Sequence, residues 1–288
     1  MTDKSRNFRS SYYDKVGFRG VEEKKSLEIL INEKPMDKGK LSKFCLRFTL
    51  PSIYREYVWQ VLLGVIPVNA ENHNSILQQR SEHYVELENS LKVMLKIKDD
   101  TPKLIIHTLM FLLTEDVLEY DIQKQLSTSK VQSLIVLASL FIELSSSEET
   151  AFWLFKNFIL HQRKLNTKYK NVSQKEIVET ILKKEEDVLF EHLCTTKCFD
   201  SIPLDLWFDR VFAEVLHESS IARICDKIIG GSCKILPYIL SALLIVRRHL
   251  LLPLNDADKM VELLEKNPED VSELAVNKAL ELYYTANH

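Results

Sequence analysis

The chain is predicted to be all-α. Three observations carry this: apolar residues recur at helical spacing along most of its length, only six of its 288 residues are glycine, and polar capping pairs precede several apolar runs. So few glycines do not suit a sandwich or barrel with many tight turns. With 45% hydrophobic content, the length buries a substantial core as one large helical domain or two smaller lobes.

Residues 1–20 are rich in Ser, Arg, Tyr and Gly and read as a partly flexible arm, whose Phe8, Tyr12, Tyr13 and Phe18 are suited to docking on the domain. The helical domain then occupies 21–288. A short helix is expected over Val21–Asn32, with Pro35 and Gly39 punctuating the passage to the next segment. Over 53–66, Val58, Trp59, Leu62, Leu63 and Ile66 share a helical face, and Gly64 and Pro67 mark its end. Helix continues over 75–97. Asp99, Asp100, Thr101 and Pro102 then form a turn with a first-turn proline for a helix over 103–113.

Further helices are predicted over 152–160, 176–194, 204–218, 220–229 and 235–251. Helix starts are expected where Ser145 precedes Glu148, where Ser173 precedes Glu176, and where Asn267 precedes Pro268, Glu269 and Asp270. In each, a short polar side chain accepts a bond from a free amide while acidic groups suit the positive helix end.

A net charge of -3 with both signs interspersed offers no field for a nucleic-acid backbone. The five cysteines and the lack of a signal-like apolar start fit a reducing cytosol. The longest apolar runs, 131–144 and Ile235–Val246, fall short of the roughly 20 residues that span a bilayer. The expected location is cytoplasmic, with any residence on a membrane surface depending on a partner or a peripheral contact.

No metal or cofactor is expected. His192, Cys194 and Cys198 lack a second paired set at ligand spacing, so the cysteines read as structural. Gly230, Gly231 and Ser232 lack the lysine of a phosphate loop and read as a helix end and turn. The chain contains neither HExxH nor GxSxG.

Three separated segments stand out in order along the chain. The first is Leu50-Pro51 with Arg55, Val58-Trp59 and Leu62-Leu63-Gly64. The second is Gln132 with Ser145 and the run Glu148-Glu149-Thr150-Ala151-Phe152-Trp153. The third is Trp207-Phe208, Phe212, Arg223-Ile224-Cys225-Asp226 and Gly230-Gly231. Together, spanning about 41–252, they resemble the TBC domain, the helical fold known for stimulating GTP hydrolysis by Rab-type GTPases, and lysosome or vesicle surfaces are where partners would recruit such a chain.

The resemblance implies two catalytic fingers, an arginine from Ile-x-x-Asp-x-x-Arg and a glutamine from Tyr-x-Gln-Gly. Here the glutamine motif reads Lys130-Val131-Gln132-Ser133, which keeps Gln132 and loses its tyrosine and glycine neighbours. The arginine motif is absent. The nearest stretch, Val85-x-x-Glu88-x-x-Leu91, places Leu91 at the arginine position, and no arginine lies between Arg80 and Arg163. An arginine finger contributes about 10³–10⁵ in rate, so its loss implies a degenerate GTPase-activating domain. Gln132 also has a bland reading, a polar residue at a helix start that bonds a neighbouring loop.

Within the family, the run from Tyr12 to Lys25 brings the chain nearest to the TBC subunit of the tuberous sclerosis complex. That likeness implies binding to the hamartin coiled coil and, through it, to tuberin, in an assembly that restrains Rheb and target-of-rapamycin growth signalling. The alternative it leaves open is an active Rab GTPase-activating protein that uses Gln132 and a non-motif arginine, with Arg80 the nearby candidate.

The segment 104–120 is apolar on more than one face. Burial in the domain's own core accounts for most of it. Since the family carries GTPase-facing elements here, Leu109, Met110, Leu112, Leu113, Val117 and Leu118 are the candidate partner-binding residues.

Overall fold

The computed structural model describes residues 21–168, 173–265 and 267–287, and the expected arm over 1–20 lies outside them. Every regular element among the described residues is helical. They fall into two compact units: one runs to Arg163 and includes Ile229–Gly231, and the other comprises Lys164–Ile228 and the chain from Ser232 onward.

The first unit contains α1 (Val21–Asn32), α2 (Lys38–Arg47), α3 (Ser52–Leu63), a 3-10 turn (Ala70–Asn72), α4 (His73–Val93), α5 (Lys103–Thr114), α6 (Ile122–Leu126), α7 (Ser129–Leu144) and most of α8 (Glu148–Lys168). Its core is an aromatic lattice organised by α8. Ala151, Phe152, Leu154, Phe155 and Phe158 are fully buried there. Phe155 meets Phe111 of α5 with ring centroids 5.6 Å apart, and Phe158 meets Phe141 of α7 at 5.0 Å. Phe141 in turn contacts Trp59 of α3 at 6.0 Å, so one chain of tilted and edge-on rings links four helices.

α5 explains why the lattice closes. It is apolar nearly all round, and Ile106 through Leu112 are all buried, which a helix of this pattern requires. His107 lies in that run. Its Nε2 and the Tyr84 hydroxyl share a hydrogen bond of 3.1 Å, its ring packs on Phe152 at 5.7 Å, and its Nδ1 has no partner.

The second unit contains α9 (Gln174–Glu185), α10 (Asp187–Thr195), α11 (Cys198–Ser201), α12 (Leu204–Asp209), all but the last residue of α13 (Glu218–Ile229), α14 (Ile235–Val246), α15 (Arg248–Leu251), α16 (Ala257–Glu265) and α17 (Glu269–Asn287). α14 is its centre, buried from Ile235 through Leu244 except at Tyr238, with α17 and α9 packed on it.

Three successive helices of the first unit end in the same way. After α3, the Val65 amide donates to the Gln60 carbonyl and the Gly64 amide to Val61, with Gly64 at φ 73°. After α4, the Lys96 amide donates to Leu91 and the Leu95 amide to Lys92. After α5, the Val117 amide donates to Leu112 and the Asp116 amide to Leu113. This paired pattern needs a left-handed residue at its hinge, ordinarily glycine. Only the first site has one: Leu95 and Asp116 both take φ 56°.

Several predicted helices are shorter or divided. The helix expected to reach residue 97 ends at Val93, because Leu95 turns left-handed without a glycine to announce it. The helix expected over 176–194 breaks at Glu186, which takes φ −150° and whose carboxylate pairs with Arg248. The one expected over 204–218 stops at Asp209, where Val211, Phe212 and Glu214 adopt positive φ. The one expected over 235–251 divides at Arg247, whose guanidinium donates to Asn267 at 3.0 Å.

The capping expectations also divide. Ser173 accepts from the Glu176 amide as expected. α8 is capped by Ser147, which accepts from Thr150 at 3.2 Å, while the Ser145 hydroxyl is buried without a partner. The cap thus falls two residues later than the Ser145 and Glu148 pair indicated.

Truncating the lattice at its centre, Phe155→Ala, is expected to cost about 3–5 kcal/mol in a urea unfolding titration. A second expectation concerns pH. Burial pushes His107 down to about 4, against about 6.5 for an exposed histidine. Between those values the unfolded chain binds a proton that the folded chain refuses, so stability present above pH 6.5 falls as pH drops toward 4, by about 3 kcal/mol in total. Unfolding titrations at several pH values check this, and His107→Leu should flatten that part of the profile.

Candidate functional site

Gln132 lies one turn into α7, on its exposed face. Its side-chain amide donates to the Leu126 carbonyl at 2.7 Å and so closes the end of α6. The neighbouring Gln125 is buried and pins the preceding loop, donating to Val117 at 2.7 Å and accepting from the Glu119 amide at 2.9 Å. The Gln132 carboxamide, the glutamine-finger candidate, is therefore engaged in a local bond.

Leu91, which the resemblance offers as the position of the lost arginine, is fully buried in α4. The same helix carries Arg80, half-buried, with its guanidinium 4.3 Å from the Trp153 ring centroid and 3.4 Å from the Gly64 carbonyl. The Trp153 indole donates to the Arg80 carbonyl at 3.1 Å, so backbone and side chain of this arginine are held by one tryptophan. Burial lowers the Arg80 pKa, and a guanidinium in such a setting remains charged.

The apolar candidates separate into two groups. Leu109, Met110 and Leu112 are buried in the lattice and offer a partner nothing in this state, which corrects the expectation that they line a binding surface. Leu113 and Leu118 are half-buried, and Val117 is 52% exposed.

The most exposed apolar side chains of this region were not anticipated. Val93 is 83% exposed, Leu95 90% and Tyr120 96%. Tyr120 lies beside the residue that follows Leu95, because the Lys96 ammonium donates to the Tyr120 carbonyl at 2.8 Å and lies 4.7 Å from its ring. Leu95 carries a double cost: a left-handed leucine is strained by about 1–2 kcal/mol, and its side chain stays in water. Helical periodicity had placed Val93 and Leu95 inside a longer α4, and no glycine signalled otherwise.

Among the described residues, no group of three or more His, Cys, Asp or Glu side chains is arranged to hold a metal ion. His192 bonds the Leu254 carbonyl at 2.8 Å, and burial pushes the Cys198 thiol up to about 11. Gly231, at φ 109°, is the left-handed residue that ends α13. None of the helices in the described residues is long and apolar enough to cross a membrane.

The order of helices, with a glutamine at the start of α7 and Ala-Phe-Trp in the first turns of α8, defines a TBC domain. The model of the Rab-GTPase-TBC domain matches residues 52–252, and the chain belongs to that family. It is 38% identical to human TBC1 domain family member 7 over 284 residues, covering 98% of this chain and 96% of that protein. The Xenopus tropicalis protein of that name is 37% identical with the same coverage. The fold is also that of the Ypt/Rab-GAP domain of Gyp1p, with a TM-score of 0.57 and 14% identity over 92% of this chain and 99% of that one. The Chlamydomonas flagellar RabGAP TBC domain matches at 0.57 and 16% identity over 98% and 95%.

Replacing Arg80 by alanine is expected to lower stability by about 1–2 kcal/mol, through lost stacking and packing on Trp153. Equilibrium unfolding followed by far-ultraviolet circular dichroism measures this.

Proposed function

We propose that the chain is a non-catalytic TBC-domain subunit that binds the hamartin coiled coil and stabilises the hamartin–tuberin assembly. In that role it supports restraint of Rheb and of target-of-rapamycin signalling, and reaches the lysosomal surface through its partners. The observation that carries the reading is at the end of α4. The stretch that the resemblance pairs with the family's arginine motif holds Leu91 and no arginine, and beyond it Val93, Met94 and Leu95 are exposed.

A coiled-coil helix offers apolar side chains at helical spacing and buries them against such a surface. Leu95, Val93, Tyr120 and Val117 supply that surface here, with Leu113 and Leu118 at its margin. The engagement of Gln132 with Leu126 and of Arg80 with Trp153 supports the same reading, since each finger candidate would have to surrender a bond before entering a GTPase pocket.

The alternative, an active Rab GTPase-activating protein, rests on the exposed position of Gln132. Single-turnover GTP hydrolysis by Rab GTPases and Rheb separates the two. The subunit reading expects unchanged rates, with the hamartin coiled coil retained in a pull-down from the same preparation. Stimulation of several hundredfold that Gln132→Ala removes would establish the enzyme instead.

Leu95→Gly sharpens the test, since glycine relieves the left-handed strain. Stability is expected to rise by about 1 kcal/mol while coiled-coil affinity falls about tenfold, and these opposite signs distinguish a binding residue from a structural one.

A further inference from the structure

Between α7 and α8 the chain reads Ser145-Ser146-Ser147-Glu148-Glu149, and the three serines have separate fates. The Ser145 hydroxyl is buried. The Ser147 hydroxyl caps α8, accepting from the Thr150 amide at 3.2 Å and bonding the Thr150 hydroxyl at 3.0 Å. Ser146 is exposed, and it turns away from its own helix to bind α3: its amide donates to one Glu56 carboxylate oxygen at 2.7 Å and its hydroxyl to the other at 2.8 Å. Gln60 donates to the same carboxylate at 3.2 Å.

We propose that Ser146 is a phosphorylation site for an acidophilic serine kinase, and that the modification releases the α7–α8 junction from α3. The inference is independent of the coiled-coil reading above. Glu148 and Glu149 follow the hydroxyl two and three residues later, a charge pattern that such kinases read. Of the three serines, only Ser146 combines that pattern with an exposed position and a hydroxyl not committed to a helix cap.

In the transfer, the Ser146 oxygen bonds to the γ-phosphorus of a nucleoside triphosphate. The bond from that phosphorus to the bridging oxygen breaks, the diphosphate leaves with the electron pair, and the hydroxyl proton passes to the kinase's carboxylate base.

The product cannot keep the tether. It has lost the O–H that Glu56 accepted, and it carries about −1.5 to −2 charges where a carboxylate stood at hydrogen-bond distance. The amide bond to the same carboxylate is strained open with it. The start of α8 tolerates the new charge, because negative groups are favourable at a helix N-terminus. Repulsion from Glu56 therefore acts on the weaker element, the tether, and leaves α8 formed.

The test incubates the full folded chain with casein kinase 2 and magnesium ATP, maps the phosphate by peptide mass spectrometry, and follows amide hydrogen exchange across 145–147. The expected result is a phosphate on Ser146 that Ser146→Ala abolishes, with exchange of the Ser146 amide faster by about tenfold. In Glu56→Gln, which lacks the opposing charge, phosphorylation should accelerate that exchange less. Absence of phosphate from Ser146 in the folded chain, its placement on Ser147 or Thr150 instead, or phosphorylation of Ser146 without faster exchange overturns the proposal.

Discussion

The seating of α5 against α8 is the constraint on which the first unit depends. A helix apolar on nearly every face has no stable place at a surface, and the phenylalanines of α8 provide the interior that receives it. Once His107 and Phe111 lie on Phe152 and Phe155, the other contacts follow: Tyr84 brings α4 to the same rings, and Phe141 brings α7 and, through Trp59, α3. The lattice consumes α5 as a surface. The apolar side chains that stay exposed in this region lie at the helix ends and in the loops beyond them.

Those ends share a hydrogen-bond pattern and differ in the residue at its hinge. At Gly64 the left-handed turn is accommodated without strain and simply redirects the chain. At Asp116 a short polar side chain occupies it. At Leu95 the chain accepts both backbone strain and an apolar side chain in water, an arrangement with no folding advantage that stability alone would select against.

Helical class and most element positions were legible because periodicity, scarce glycine and the Ser173 cap all report local free energies that the fold keeps. The errors cluster where tertiary contacts override local preference. Glu186 and Arg247 interrupt runs of good helix formers, each held by a side-chain partner far away in sequence, and nothing near them in the chain carries that signal. Motif spacing singled out Gln132 and Leu91 as positions. Their exposure could not be read from it, since leucine has the same pattern whether it is buried at 91 or in water at 95. Hydrophobicity assigned Leu109, Met110 and Leu112 to a partner although the core absorbs them, and passed over Val93, Leu95 and Tyr120.

The placement of the three tryptophans gives the molecule a spectroscopic asymmetry. Trp59 and Trp153 belong to the first unit and Trp207 to the second, and all three indoles are buried. Trp153 meets both the Arg80 guanidinium and the His83 ring, whose centroid is 5.3 Å away. Trp59 and Trp153 therefore report on the first unit and Trp207 on the second. Removing these indoles one at a time assigns the intrinsic emission to one unit or the other without any attached label.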